Sequence, residues 1–402
     1  MEGRSKLLYT MSEYPSVSET FVVNEAAAVT ALGIPVVGYA LKQGPASRSA
    51  SPIKLICQPA TRLQLLAAAI RSAPTIAADI GRARRERLTV GEIARWLLAT
   101  AHAAYIVDAS KELGVTHIHA HFLGRSADVA SLLAPLLGCE WTATAHASDV
   151  YAPGQPGLMR RRLRTVAAVA CANRGLRERL DRFVTPAELR TGTVHCGVNT
   201  HTLKFGPSRP ADGARHLVTV GRLVATKGYW TILESAIELM RGDLSLRWTI
   251  VGDGPLRNSL AHDARFVELF PRMKLVRALD HADILTLLGR ATAFVLPCEQ
   301  SQMGDSDGIP VALMEAMALG VPVVTTATGG ILELVVPNET GFIVEPKDAP
   351  GLVETLKELL YTARPSEIDR IRVAARRKVE LEFDLFLEAQ ALLELLKPYL
   401  ET

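Results

Sequence analysis

Short apolar runs alternate with longer stretches of helical periodicity along most of the chain. In the first half, this pattern predicts strands at 5–10, 34–40, 116–121, 140–145, 167–171 and 192–196, with helices near 18–32, 61–79, 90–113 and 126–137. The segment 42–60 has many turn-forming residues and no clear period, so we expect a loop there. Strands that alternate with helices are typical of a parallel sheet covered by helices.

The alternation stops over 197–215, where the stretch 206–213 is dense in Gly and Pro, as in a linker. A second series follows, with strands near 216–221, 246–251, 273–276, 292–296, 321–325 and 341–344, and helices near 228–241, 254–264, 281–289, 310–319, 330–336, 348–361 and 366–400. We therefore predict an N-terminal domain at 1–199, a C-terminal domain at 200–382 and a terminal helical segment at 383–402. Ligands bind at the carboxyl ends of such strands, so two linked units predict a cleft between them.

Composition places the chain among globular proteins. Of its 402 residues, 48% are hydrophobic and 22% charged. No apolar run reaches about 18 residues, which predicts no membrane span, and the first residues show no secretory signal pattern. The five cysteines are scattered and form no C-x-x-C pair, so neither a disulfide framework nor a zinc ribbon is indicated. We expect a cytoplasmic protein.

The net charge of +3 is unevenly divided. Residues 1–199 carry 23 Lys and Arg against 15 Asp and Glu, a charge of +8, which leaves 22 and 27 of the totals 45 and 42, a charge of −5, for residues 200–402. A basic first half, with arginine-rich stretches at 82–87 and 160–164, fits peripheral contact with an anionic membrane or a lipid-phosphate acceptor. It fits a solvated arginine-rich surface equally well.

The segment 304–320 carries the most specific chemistry. Asp307 and Glu315 flank a Gly308-Ile309-Pro310-Val311 turn that is predicted to open a helix. Proline suits a first helical turn, and the unpaired N–H groups there form an anion site that a phosphate can occupy. Glu315 lies over one turn further on, where it could accept hydrogen bonds from sugar hydroxyls. The alternative is a structural helix with Asp307 as its N-cap.

A second candidate site follows the strand that ends at Gly221. Arg222 and Lys227 are predicted at its carboxyl end, where two cations could bind a diphosphate and stabilise its departure without a metal. The next strand ends in Gly252-Asp253-Gly254, which resembles the start of a dinucleotide fingerprint. Arg257 stands where the third glycine belongs, and no acidic residue follows at the required distance, so we reject an NAD site.

Histidines are the remaining candidates. His117, His119 and His121 alternate along one predicted strand and share a face, but no carboxylate or cysteine accompanies them at ligand spacing, so we predict no metal site. His146 and Asp149 follow the next strand and should line the cleft, unless they form a structural pair. The chain has no P-loop, no zinc-protease motif and no nucleophile elbow, and no basic and aromatic interleaving indicates nucleic-acid binding.

Taken together, these motifs resemble retaining glycosyltransferases of family 4, which have the GT-B fold of two facing Rossmann-like domains. The resemblance covers nearly the whole chain and is strongest over 215–345. It depends on the order and spacing of several short motifs, namely Gly221-Arg222-Leu223 with Lys227-Gly228, Val251-Gly252-Asp253-Gly254-Pro255, the segment 304–320, Thr328-Gly329-Gly330-Ile331-Leu332-Glu333 and Gly341-Phe342-Ile343-Val344.

The resemblance implies a role for each matching position. Arg222 and Lys227 would bind the donor diphosphate, Asp307 the donor sugar and Glu315 the ribose hydroxyls. His146 would lie near the anomeric centre, with His146, Arg222, Lys227 and Asp307 as the catalytic set. The remaining donor-binding positions would be Arg277 and Leu279 beside the base and the backbone of Gly308, Ile309, Pro310 and Val311. Such enzymes use no cofactor or metal, and their donor is a nucleoside-diphosphate sugar, here expected to be UDP- or GDP-linked.

Two departures from the family pattern change the expectation. The first acid is usually Glu, and Asp307 is one methylene shorter, which could alter donor choice. The usual Gly-Gly loop after the first strand is replaced by Tyr14-Pro15-Ser16-Val17-Ser18-Glu19-Thr20-Phe21. This version resembles a bacterial exopolysaccharide branch of the colanic-acid type. Acceptor-side contacts are expected from Ser18, Glu19, Thr20 and Asp149.

The sequence thus predicts a transferase that moves a sugar from a nucleotide donor to a hydroxyl of a saccharide, lipid-linked or natural-product acceptor. One alternative is a nucleotide-sugar epimerase on the same fold, which would isomerise the donor alone. The other is a non-catalytic nucleotide-binding subunit of a glycosylation complex, which would bind nucleotide without turnover.

Overall fold

The computed structural model describes residues 6–16, 19–44, 53–72, 86, 88–151, 156–182, 189–206, 215–300 and 308–400, without the side chains of Ser148 and Tyr151. The chain divides into two compact units. The first comprises Met1–His195 with Glu388–Thr402, and the second Cys196–Leu387. Among the described helices, none combines the length and apolar character that crossing a membrane requires.

The first unit is built on a parallel sheet of seven strands, which are β1 Leu7–Tyr14, β2 Val36–Gln43, β3 Lys54–Leu55, β4 His117–His121, β5 Trp141–Ala145, β6 Ala168–Cys171 and β7 Arg190–Thr193. Their spatial order is β3-β2-β1-β4-β5-β6-β7. The helices are α1 Thr20–Ala31, α2 Arg62–Arg71, α3 Val90–Glu112, α4 Arg125–Leu137, α5 Ala147–Tyr151, α6 Pro156–Leu163 and α7 Arg174–Leu180.

Strands β4 and β5 are buried along their whole length, as expected of central strands in a parallel sheet, although β4 carries three histidines and β5 two threonines. The predicted loop at 42–60 contains the short strand β3, and the predicted strand 192–196 begins two residues earlier as β7. Residues Glu388–Thr402 group with this unit, where the Tyr399 hydroxyl donates a 2.9 Å hydrogen bond to the carbonyl of Ala167.

The second unit has six parallel strands, which are β8 His216–Val220, β9 Arg247–Val251, β10 Met273–Val276, β11 Ala293–Leu296, β12 Val323–Thr326 and β13 Phe342–Val344, in the order β10-β9-β8-β11-β12-β13. Its helices are α8 Tyr229–Gly242, α9 Arg257–Ala261, α10 Ala264–Leu269, α11 His281–Leu288, α12 Val311–Ala318, α13 Ile331–Leu334, α14 Ala349–Lys357 and α15 Pro365–Glu382. A 3-10 turn, Ala225–Lys227, precedes α8, and a π-helical turn, Glu358–Thr362, follows α14.

Local capping explains where two helices begin. The predicted helix 254–264 is the shorter α9, and the separate helix α10 begins at Ala264 because the Asp263 side chain caps it by accepting a hydrogen bond from Arg265 N. The predicted helix 366–400 divides into α15 and a last helix, α16, at Leu385–Leu400. The Asp384 carboxylate accepts a 2.9 Å hydrogen bond from Phe386 N, which caps the start of α16.

Candidate functional site

Two cationic side chains follow β8 in the second unit. Arg222 lies two residues beyond the strand and is exposed. Lys227 ends the 3-10 turn and is only 8% exposed. A Cβ atom at Gly221 would lie 3.7 Å from Cδ and Cε of Lys227, so the lysine stem returns to the end of the strand. Both cations therefore lie at the carboxyl ends of the strands, where α/β proteins bind ligands.

Glycines allow the loops that follow β8, β9 and β11 to approach one another closely through their backbones. A Cβ atom on Gly252 would lie 2.0 Å from the carbonyl oxygen of Gly221, which joins the loops after β8 and β9. A Cβ atom on Gly228, whose φ is +68°, would lie 1.9 Å from the carbonyl oxygen of Pro297 beyond β11. The motifs around 221–228 and 251–255 are therefore parts of one structure.

Arg257 explains why the dinucleotide fingerprint fails at its third glycine. Its guanidinium donates to the carbonyl oxygens of Gly252 at 3.2 Å and Leu275 at 3.3 Å. The side chain thus fastens the turn after β9 to the neighbouring strand β10. Arg257 therefore has a structural role at this position.

The N-terminus of helix α12 lies at the same carboxyl end of the sheet. Pro310 is the N-cap residue, with φ −64° and ψ 124° and no side-chain cap, so the helix begins at Val311, one residue later than predicted. This cap corrects the alternative in which Asp307 caps the helix, and Asp307 itself lies outside the described residues. The partly exposed Gly308 and the buried Ile309 lead into the helix. Its first N–H groups have no intrahelical acceptor and suit an anion.

Glu315 is held by a histidine that the sequence analysis missed. Its Oε1 atom lies 2.6 Å from Nε2 of His281, the first residue of α11. The Glu315 side chain is 8% exposed and the His281 side chain 42%. The hydrogen bond to Glu315 raises the pKa of His281 above its ordinary value. Because 34 positions separate the two residues, no local spacing could have revealed the pair.

The predicted base-side residues lie between β10 and α11. Arg277 is exposed and donates to the Asp253 carboxylate at 3.3 Å, which ties it to the loop after β9. Leu279 is partly exposed two residues before His281. This arrangement brings the loops after β9 and β10 together, and leaves an apolar side chain accessible beside a cation.

In the first unit, His146 directly follows β5 and is surrounded by aromatic rings. Its ring centroid lies 4.3 Å from that of Phe122, 4.9 Å from Phe21 and 6.3 Å from His121. Burial, followed by the charge of His121, lowers the pKa of His146 to about 3, so the ring is neutral at pH 7. Its Nε2 atom is buried and has no hydrogen-bond partner in the described part of the chain. A neutral ring with an unused nitrogen can bond a sugar hydroxyl.

Asp149 contacts the backbone rather than the ring of His146. Its Oδ2 atom accepts a 3.0 Å hydrogen bond from His146 N and so caps the short helix α5. Burial raises the pKa of Asp149 to about 6, against the opposing effect of hydrogen bonds from His146 and Leu123. The alternative of a structural His-Asp pair therefore has a specific geometry, in which the acid supports the loop that presents His146.

The other acceptor-side candidates lie at the start of α1. Glu19 is the N-cap residue of this helix and Thr20 its first residue, and both are partly exposed. Ser18 lies outside the described residues. Thr20 directly precedes the aromatic Phe21 that contacts His146, and Glu19 lies two positions before Phe21.

Part of the arginine-rich stretch 160–164 is committed to structure. Arg162 is 3% exposed and donates to Asp128 at 2.6 Å and to the Leu123 carbonyl at 2.7 Å. The Arg161 guanidinium lies 4.0 Å above the Trp96 ring. Arg160 and Arg164 remain exposed. Fewer positive charges of this stretch are therefore available to an acidic acceptor than its sequence suggests.

Glu25, which the sequence analysis did not single out, supplies a carboxylate to the row of histidines. It forms a cluster with His119 and His121 in which the possible ligand atoms lie within 4.8 Å of one another. This corrects the reasoning that no carboxylate accompanies these histidines, since Glu25 comes from α1 and not from the strand. Opposing its burial, the charges and hydrogen bonds of nearby groups, His121 foremost, lower the pKa of Glu25 to about 2.

The hydrogen bonds of this cluster occupy some of the atoms that a metal ion would need. The Tyr9 hydroxyl donates to Glu25 at 2.7 Å, and Nε2 of His121 lies 3.2 Å from the same oxygen. The two ring nitrogens of His119 each lie 2.9 Å from a threonine hydroxyl, those of Thr142 and Thr144. A metal ion would have to displace one of these hydroxyls.

The chain has two Rossmann-like units, each built on a parallel sheet, and this architecture matches solved structures of the GT-B fold. Residues 202–377 match the family model described as glycosyl transferases group 1. The match contains the part of the chain, 215–345, in which the motif resemblance is strongest.

Individual relatives and solved structures point to the same group of enzymes. Glycogen synthase of Mycobacterium tuberculosis is 27% identical over 307 residues, 72% of each chain. The putative colanic acid biosynthesis glycosyltransferase WcaL of Escherichia coli is 31% identical over 211 residues, 51% of this chain and 50% of the relative. In fold, the chain matches Anabaena HepE in complex with UDP-glucose with a TM-score of 0.71 at 16% identity, covering 98% and 99% of the two chains. Neither the epimerase nor the binding-subunit alternative gains support.

Proposed function

We propose that the chain is a glycosyltransferase that moves a hexose or similar sugar from a UDP- or GDP-linked donor to a hydroxyl acceptor, with retention of anomeric configuration and without a metal ion. The observation that carries the proposal is Lys227, a nearly buried cation folded back onto the end of β8. Its position beside the exposed Arg222 suits a diphosphate, which needs both charge and a hydrogen-bonding fork.

The proposed chemistry breaks the bond between the anomeric carbon and the diphosphate. Negative charge develops on the departing oxygen, and Arg222, Lys227 and the N-terminus of α12 stabilise it there. The same oxygen takes the proton from the incoming hydroxyl, whose oxygen bonds the anomeric carbon. Because both events occur on one face of the sugar, the configuration is retained.

Fixed cations make a divalent ion unnecessary for this step. A metal in nucleotide-sugar enzymes would neutralise the diphosphate, and two side-chain cations with a helix N-terminus supply comparable charge. Asp307 is proposed to bond the donor sugar and Glu315 the ribose hydroxyls, while His146 bonds a hydroxyl near the anomeric centre through its unused Nε2 atom.

A growing saccharide is the proposed acceptor, free or attached to a lipid. The support is the similarity to an enzyme named for colanic acid biosynthesis and the charge of +8 on residues 1–199. Glu19 and Thr20 are proposed to contact this acceptor, because they adjoin Phe21 beside His146.

The test is transfer from UDP- and GDP-sugars to an oligosaccharide acceptor panel in the presence of EDTA, with the anomeric configuration of the product read by NMR. We expect unchanged rates in EDTA and a product with the configuration of the donor. An inverted product would refute the proposed proton transfer, and a rate restored only by a divalent ion would refute metal independence. Isomerised donor without acceptor would indicate an epimerase.

A further inference from the structure

His281 and Glu315 lie on different helices, and their side chains form a hydrogen bond that neither helix needs for its own structure. Glu315 lies on α12 between Met314 and Ala316, both fully buried in the core of the second unit. His281 begins α11, which follows β10 at the edge of the sheet. Their 2.6 Å contact joins a nearly buried carboxylate to a ring that is 42% exposed.

A nearly buried carboxylate in this position needs hydrogen-bond donors, because a buried polar group without a partner costs free energy. Among the described residues, the ring nitrogen of His281 is the hydrogen-bond partner of the Glu315 carboxylate, where it occupies one lone pair of Oε1. Within that part of the chain, Oε2 and the other lone pair of Oε1 are open to further donors. Two neighbouring hydroxyls, as on a ribose ring, match these remaining positions.

We propose that His281 is a positioning residue for the nucleotide, which orients Glu315 and keeps it ready to accept the ribose hydroxyls. The inference rests on the proposed donor site and adds a residue that no sequence motif identified. His281 acts through Glu315 and does not itself contact the reacting atoms. Its effect should therefore appear in nucleotide affinity, and only when the ligand carries ribose hydroxyls.

The experiment is a double-mutant cycle in which the His281 side chain and the ribose hydroxyls of the ligand are removed separately and together. Calorimetry gives Kd for UDP and GDP, and for the 2′,3′-dideoxy form of the better ligand, with wild type and His281→Ala. We expect His281→Ala to weaken the ribonucleotide about 10-fold, the lower end for a hydrogen bond to a charged group. Binding of the dideoxy form should be the same in both proteins.

Two matched variants guard against a general loss of structure. His281→Gln places an amide N–H near the position of Nε2 and should keep most of the affinity, whereas the shorter His281→Asn should behave like Ala. His262→Ala removes an exposed histidine from the same unit, whose ring bonds the Asn258 carbonyl of the preceding helix, and should leave both Kd values unchanged.

Three results would overturn the inference. Equal loss for the ribose and dideoxy ligands would give His281 a purely structural role, and no loss for either would give it no role. Tighter binding in His281→Ala would mean that the ring occupies the place of the ribose. If the wild type binds neither UDP nor GDP, the proposed donor site fails and this inference fails with it. In the other three results the wild type still binds nucleotide, so the two kinds of failure can be told apart.

Discussion

Gly228→Ala tests the backbone contact that supports the donor-side cations. Gly228 follows Lys227 directly, has φ +68°, and approaches Pro297 so closely that a Cβ atom would lie 1.9 Å from its carbonyl oxygen. The carbonyl cannot move aside easily, because two residues later Glu299 N donates a 2.8 Å hydrogen bond to Thr226 O. Alanine must therefore shift the turn that carries Lys227.

The expected cost has two parts. A residue with a Cβ atom in the left-handed region costs about 1–2 kcal/mol, and relieving an overlap with backbone costs about 1–3 kcal/mol. The sum is about 2–5 kcal/mol. For a unit of roughly 190 residues, this corresponds to a Tm lower by about 10 °C. Loss of the nucleotide-induced stabilisation should accompany the lower Tm.

Differential scanning fluorimetry, with and without UDP and GDP, measures both effects. The control is Gly242→Ala, because Gly242 ends α8 and a Cβ atom there would meet nothing within 4 Å. Its Tm should stay within about 2 °C of wild type or rise slightly, since alanine favours helix. A Gly228→Ala protein with wild-type Tm and nucleotide response would refute the close approach and the dependence of Lys227 on it.

Two further predictions concern charged groups in the two units. Lys227→Ala should lower turnover by on the order of 10² in a folded protein, as for loss of a charge-stabilising donor, and near-normal turnover would remove Lys227 from the chemistry. Asp149→Asn should raise Tm more at pH 7.5 than at pH 4.5, because a carboxyl whose pKa is raised from 3.8 to about 6 destabilises the fold as pH rises through this window; an equal change at both pH values, measured by fluorimetry, would contradict that shift.

The alternating units could be predicted because their strands are short, apolar and buried. Strands β8 to β10 lie within a residue of their predicted positions, and β9 is buried at four of its five positions. The two-residue strand β3 could not be found this way, since two residues show no period. The break before α16 was missed because it depends on the side chain of Asp384, a residue whose type suits a cap, a turn or a surface equally well.

Candidate residues followed the same division. Arg222, Lys227 and Glu315 could be proposed from local spacing, because each lies near the end of a recognisable strand or the start of a helix. The partners of these residues could not. His281 reaches Glu315 from 34 positions away, and Glu25 reaches His121 from a different element of the first unit. Such pairs depend on how the elements pack, and a single sequence contains no signal for that packing.

Ligand-induced thermal stabilisation tests the donor site most directly. In EDTA, a saturating nucleoside diphosphate at about 100 times Kd adds about 2.7 kcal/mol, so Tm should rise by roughly 5–10 °C. The account predicts this response for UDP or GDP and not for NAD, with the response lost in Arg222→Ala. A chain that is stabilised by neither nucleotide would contradict the account and return α12 and its Glu315 to a structural role.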